Sequence, residues 1–163
     1  MKRLLALLVA LVFASPALAR PLHITFDLGG ELTAYYSAMV KARMTGQKVI
    51  IDGICLSACT MVTGLVPRDQ VCVTPRAVMG FHSAHDGTGV FESEGTRLYW
   101  QIIGSDAKDL LRAKGWNGDT EHPEFIYLTY SEIKSLFREC SPEDMAELAT
   151  KEVKNDHAPE GLQ

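Results

Sequence analysis

The chain has 163 residues, of which 47% are hydrophobic and 22% charged, with 16 basic and 20 acidic side chains and a formal charge of −4. This is one domain's worth of sequence, long enough to bury a core. The acidic balance argues against nucleic acid as a partner, because phosphate backbones need a basic face and the few Lys and Arg here are scattered among carboxylates.

Lys2 and Arg3 precede an uninterrupted apolar run, Leu4 to Ala14, and Ser15-Pro16-Ala17-Leu18-Ala19 ends in a small-x-small pattern. That is the layout of a secretory signal peptide, residues 1–19, with cleavage expected after Ala19. The run falls short of the roughly 20 apolar residues a spanning helix needs, and no second such run follows, so no membrane span is expected after cleavage. Loss of Lys2 and Arg3 takes the charge from −4 to −6 on a mature chain of about 144 residues. The expected compartment is the periplasm or the cell exterior.

Leu22 to Leu28 is predicted as a strand ending at Gly29-Gly30, a pair that permits positive φ and a loop presenting bare N–H groups. Glu31 to Thr45 has helical periodicity and closes on Gly46. Lys48 to Ile51 is a short buried strand, and Ala58 to Leu65 a buried helix. Between them lies Gly53-Ile54-Cys55-Leu56-Ser57-Ala58-Cys59-Thr60, which puts Ser57 on a strand-to-helix turn, where a hydroxyl can stand exposed at a helix start. The unit from Leu22 to Ile51 is predicted as a parallel strand-helix-strand crossover.

Further on, Gln70 to Thr74 is a strand holding Cys72. Ala77 to His82 is another, which places His82 at its end, 25 residues after Ser57. Ser83 to Gly95 is predicted as a loop of functional length, and Thr96 to Lys114 as a helix around Gly104. Phe125 to Leu128 is β-prone. Thr129 or Ser131 caps a helix to about Phe137, and Ser141-Pro142-Glu143-Asp144 starts a last helix ending near Val153. Residues 20–153 form the expected single domain and 154–163 a flexible tail.

Cys55, Cys59, Cys72 and Cys140 in an exported chain point to two disulfides, for which three pairings exist. A metal set of Cys55, Cys59, His82 and His85 is the weaker alternative, because the spacing matches no strong zinc pattern. Taken singly, Ser57 is an N-cap and His82 a strand-end histidine; only together do they suggest a nucleophile and its base. His85, His23, His122 and His157 are expected at the solvated surface, and Asp86 is a minor candidate for orienting His82.

The order Gly-Gly, helix, strand, Ser57, helix, strand, His82 resembles the Clp protease proteolytic-subunit family. It is most similar to short exported ClpP-like proteins with a Cys-x-Ser-Ala-Cys signature, over roughly Ile24 to Phe137. The resemblance implies an α/β fold of ClpP/crotonase-like strand-strand-helix units, reduced at the N-terminus. It implies Ser57 as nucleophile, His82 as general base, and the N–H groups of Gly30 and Ala58 as oxyanion donors. The family completes its triad with an aspartate shortly before a Ser/Thr-started helix. Here the corresponding position is Phe125, and the neighbouring Glu124 is the candidate acid, although adjacent strand residues face opposite ways. Cys55–Cys59 with Cys72–Cys140 is the preferred connectivity, with Cys59–Cys72 its rival. The expectation is a serine hydrolase acting on a peptide or other acyl substrate without a cofactor or metal, with homo-oligomerisation an open possibility. A non-catalytic module of the same fold that binds a peptide or itself is the alternative.

Overall fold

The computed structural model describes residues 20–155, with side chains described through Leu148. The expected signal peptide and most of the expected tail lie outside these residues. The strands are β1 (Leu22–Asp27), β2 (Val49–Leu56), β3 (Val71–Val73), β4 (Val78–Phe81), β5 (Ile126–Leu128) and β6 (Arg138–Glu139). The helices are α1 (Leu32–Thr45), α2 (Val62–Leu65), α3 (Ser93–Ile102), α4 (Ser105–Ala113), α5 (Tyr130–Leu136) and α6 (Pro142–Asn155), and a 3₁₀ turn over Ser57–Met61 leads into α2. The fold is mixed α/β. Among the described residues no helix is long and apolar enough to cross a membrane.

The sheet is built around β2. Its sequence, Val-Ile-Ile-Asp-Gly-Ile-Cys-Leu, is nearly continuous in apolar residues, as expected of a strand covered on both faces. Along one edge it pairs with β1, in parallel, from Leu22↔Val49 to Asp27↔Cys55. The other edge is shared by two short strands: β3 pairs Val71–Val73 with Val49–Ile51, and β4 pairs Val78–Gly80 with Ile54–Leu56, both parallel. β6 extends the sheet beyond β3 in parallel, and β5 extends it beyond β4 antiparallel.

β2 runs five residues past the predicted end at Ile51, through Asp52 and Gly53. Asp52 is tolerated inside the sheet because three partners, two from the β3–β4 connection and one from β1, satisfy it: Thr74 Oγ1 donates at 2.6 Å, Arg76 Nε at 3.1 Å, and His23 Nε2 lies at 3.2 Å. Gly53 is required by close approach, since a Cβ there would collide with the Thr25 carbonyl where the β1–β2 register shifts.

Side chains of β2 alternate between two cores. Val49, Ile51 and Cys55 join Met39, Met61, Val62, Met79, Phe81, Tyr99, Leu111, Trp116 and Ile133 in the main core. Ile50 faces the other way, against Cys72 and Leu148, with Cys140 and Met145 alongside. The second face is thus covered by α6, which is fastened by the Cys72–Cys140 disulfide and by Asp144. Asp144 receives Arg138 (2.6 and 3.0 Å) and Lys48 (3.2 Å).

Several boundaries differ from those predicted. The helix expected over 96–114 is two helices, because Ile103 turns extended (ψ 141°) and Gly104 N–H donates to Thr63 Oγ1 at 3.2 Å. The expected 83–95 loop ends early, at Glu92, and is folded by an antiparallel bridge between His85 and Phe91. Thr129, not Ser131, caps α5, in a reciprocal capping box with Glu132. The two-residue strand β6 was not anticipated.

Candidate active site

β2 delivers the chain to Leu56 in an extended conformation, and the next residue, Ser57, has φ 53°. Among the described residues it is the one non-glycine with positive φ. Such a conformation costs about 1–3 kcal/mol and persists only where its surroundings over-determine it. Here they do. The Cys55–Cys59 disulfide closes the backbone from two residues before Ser57 to two after it. The Ser57 carbonyl accepts from Thr60 Oγ1 at 2.6 Å and from the Tyr99 hydroxyl at 3.1 Å, and Thr60 and Tyr99 bond each other. Gly29 seals the outer side: with φ 84°, a Cβ on it would stand 2.6 Å from Ser57 Cβ and 2.9 Å from Ala58 N. Only glycine fits that position.

The β2–β4 register pairs Leu56 with Gly80, so Ser57 and His82 follow the same ends of neighbouring strands. His82 Nε2 lies 2.8 Å from Ser57 Oγ, within hydrogen-bond reach for proton transfer. Burial lowers the His82 pKa from its ordinary value of 6.5, and the neighbouring His85 and His122 push it the same way. The imidazole is therefore neutral at neutral pH, the state in which it can accept the serine proton.

Gly29 N–H donates to the Asp27 carboxylate at 2.9 Å, and Asp27 also receives the Tyr35 hydroxyl at 2.5 Å. Burial first and Asp27 second raise the Tyr35 pKa to about 12, so that hydroxyl stays a donor. With Gly29 so engaged, the exposed Gly30 N–H has no partner among the described residues. Ala58 is the second residue of the 3₁₀ turn, where amides have no partner within the helix. Both predicted oxyanion donors therefore sit in the two backbone segments that Gly29 brings into contact.

Glu124 is not brought to His82. Its side chain is exposed, and its carbonyl accepts from His122 Nδ1 at 2.8 Å. Among the described residues no carboxylate bonds or ion-pairs with His82. The reason is register: Phe81 pairs with Ile126, so the residue opposite His82 is Phe125, whose ring packs at 4.4 Å between centroids. Asp86 does not reach His82 either, because its carboxylate holds its own turn through Thr88 N–H (2.8 Å) and Val90 N–H (3.0 Å).

His85 is not at the solvated surface. Its side chain is 17% exposed, stacks on His82 at 5.6 Å with 21° between planes, and lies 3.8 Å from Glu121. His23 is bound to Asp52, and His157 lies outside the described residues. All four cysteines are paired, Cys55–Cys59 and Cys72–Cys140, with Cα separations of 5.3 and 4.8 Å. The rival pairing is not adopted, and the alternative metal set has no free thiolate.

Sequence reasoning missed Asp27, Tyr35, Thr60 and Tyr99. An aspartate two residues before the first glycine of Gly-Gly, and a threonine three residues after Ser57, are local signals for side-chain-to-backbone bonds that could have found two of them. Tyr99 arrives from α3 and leaves no local signal. Comparison of the chain with protein-family models and with curated proteins gives no match.

Proposed function

We propose that this chain is an exported serine hydrolase with a ClpP/crotonase-like fold, acting on a peptide or another acyl substrate through a covalent acyl-enzyme. The observation that carries the reading is the 2.8 Å contact of His82 Nε2 with the hydroxyl of a serine held at positive φ between a strand and a helical turn. Ser57 Oγ attacks the acyl carbonyl while His82 Nε2 takes its proton. The oxyanion is received by the N–H groups of Gly30 and Ala58, each worth on the order of 100-fold in rate for donors of this kind. His82 then protonates the leaving group, and in the second half takes a proton from the attacking water and returns it to Ser57 Oγ as the acyl–oxygen bond breaks. Two disulfides and no free cysteine among the described residues support an oxidising compartment, the periplasm or the exterior.

The absence of a carboxylate partner for His82 among the described residues favours a second reading, a non-catalytic module of the same fold that binds a peptide or a second copy. Among the described residues β1 pairs on one side only, with β2, and Phe26 within it and Leu28 just after it are exposed, so this edge is where such pairing would occur.

A fluorophosphonate probe separates the two. The hydrolase reading expects a stoichiometric adduct on Ser57 at neutral pH under oxidising conditions. Labelling is lost in Ser57→Ala and falls about 100-fold or more in His82→Ala. Folded, oxidised wild-type protein that takes up no probe would leave the binding-module reading standing.

A further inference from the structure

We infer that His82 is aimed at Ser57 by an aromatic clamp, Phe125 and His85, and not by a carboxylate; this rests on the hydrolase reading above. A histidine side chain has a broad, soft χ2, so one hydrogen bond to a serine does not by itself fix the ring. Two other rings meet this one. Phe125 lies at 4.4 Å between centroids with 44° between planes, and His85 at 5.6 Å with 21°. Phe125 and His85 do not pair ring to ring with each other among the described residues; each pairs with the His82 ring.

Each clamp residue is itself fixed. Phe125 adjoins β5, whose pairing with β4 places it opposite His82, and it packs on Tyr127 at 5.8 Å. His85 is held by its backbone bridge to Phe91, by the Phe91 ring at 6.3 Å, and by Glu121 at 3.8 Å. The charged and titratable groups facing His82 are the Ser57 hydroxyl from the end of β2, His85 from the segment after β4, and His122 from the segment before β5. Glu121 is turned to His85. Among the described residues no anion faces His82 to stabilise its protonated form, and the clamp orients a ring that is neutral until it takes the serine proton. Phe125 and His85 are positioning residues, and the site they produce keeps its base unprotonated into mildly acidic solution.

The test uses the full oxidised chain and the fluorophosphonate probe, reading kinact and KI separately across pH, together with the NMR titration of the His82 imidazole. Phe125→Leu lowers kinact about tenfold with KI unchanged, as expected when one aromatic contact that orients the base is lost. Phe125→Tyr, which keeps the ring, stays within about twofold of wild type. His85→Phe keeps kinact, because a ring remains, but moves the pH midpoint of labelling up, because the lowering that His85 exerts on the His82 pKa is lost. Wild-type kinact in both Phe125→Leu and His85→Leu overturns the clamp while leaving the hydrolase reading intact. If folded wild type is not labelled at all, the hydrolase reading fails, and the imidazole spectrum decides the clamp alone. The clamp requires a ring-current-shifted His82 resonance titrating below 6.5, with the shift lost in Phe125→Leu. An unchanged shift in that variant overturns it.

Discussion

The two disulfides do different work, and replacing them separately exposes the difference. The chain-entropy cost of opening a loop rises with its length: the four-residue separation of Cys55–Cys59 gives about 2 kcal/mol, and the 68-residue separation of Cys72–Cys140 about 4 kcal/mol. On stability alone the long bridge matters more. At the site the order reverses, because the short bridge is one of the three restraints that hold Ser57 at φ 53°. If its loss lets Ser57 relax by even 1.4 kcal/mol, out of the about 1–3 kcal/mol such a conformation stores, labelling falls tenfold. Cys55→Ala/Cys59→Ala is therefore expected to melt only modestly below wild type while its fluorophosphonate labelling drops about 10- to 100-fold. Cys72→Ala/Cys140→Ala is expected to lose more thermal stability yet label at a rate near wild type whenever it is folded. Circular-dichroism melting and second-order labelling rates on the same samples give both numbers. A Cys55→Ala/Cys59→Ala protein that labels like wild type refutes the idea that the disulfide sustains the serine's conformation.

Two further outcomes follow from the geometry. Gly29→Ala forces a Cβ to 2.6 Å from Ser57 Cβ and 2.7 Å from the Leu56 carbonyl at a backbone φ of 84°. It should cost about 1–2 kcal/mol from the left-handed backbone alone, more from the collision, and should abolish most labelling. A variant that melts and labels as wild type shows that the loop does not seat against the serine. Asp144 carries the strongest pH signature: Arg138 above all, with Lys48 and the Ser141 N–H, holds its pKa well below the ordinary 3.8. The unfolded chain therefore binds the proton first, so this contribution is complete above about pH 5 and drains away as pH falls through 3.8 toward the folded value. Asp144→Asn should cost about 2–3 kcal/mol at pH 7, somewhat under the usual figure for breaking a buried pair because Lys48 and Arg138 stay partly in water. It should also flatten the acid limb of a pH series of urea melts, and an unchanged acid limb would assign that limb to other groups.

The pair that carries the proposed chemistry was legible in the sequence because both members stand directly after apolar runs, and apolar runs are what a sheet buries. His82 could be placed at a strand end and Ser57 on a strand-to-helix turn from hydropathy alone. The extent of β2 was not legible. Asp52-Gly53 looks like a strand breaker, and it becomes strand only because His23, Thr74 and Arg76 arrive from elsewhere to satisfy the carboxylate. His85 was misplaced for the same kind of reason: in a segment rich in Gly and acids a histidine belongs at the surface, and its burial comes from the His82 and Phe91 rings. Glu124 was offered as an acid on proximity in sequence, but strand alternation and the β4–β5 register turn Phe125 to His82 instead. Local pattern carries the elements, and long-range partners decide the exceptions.

The bridges join the first cysteine to the second and the third to the fourth. A chain synthesised from its N-terminus presents Cys55 and Cys59 together, then Cys72, and Cys140 only much later. Oxidation in order of appearance thus yields the native set without reshuffling, provided the first two react before Cys72 competes. The brevity of the Cys55–Cys59 loop favours that, since closing a loop of a few residues is far faster than waiting for a thiol still to emerge. The turn that holds the serine is in this sense self-sufficient: its covalent closure needs nothing from the rest of the protein, and it can be complete before the histidine has been delivered to it.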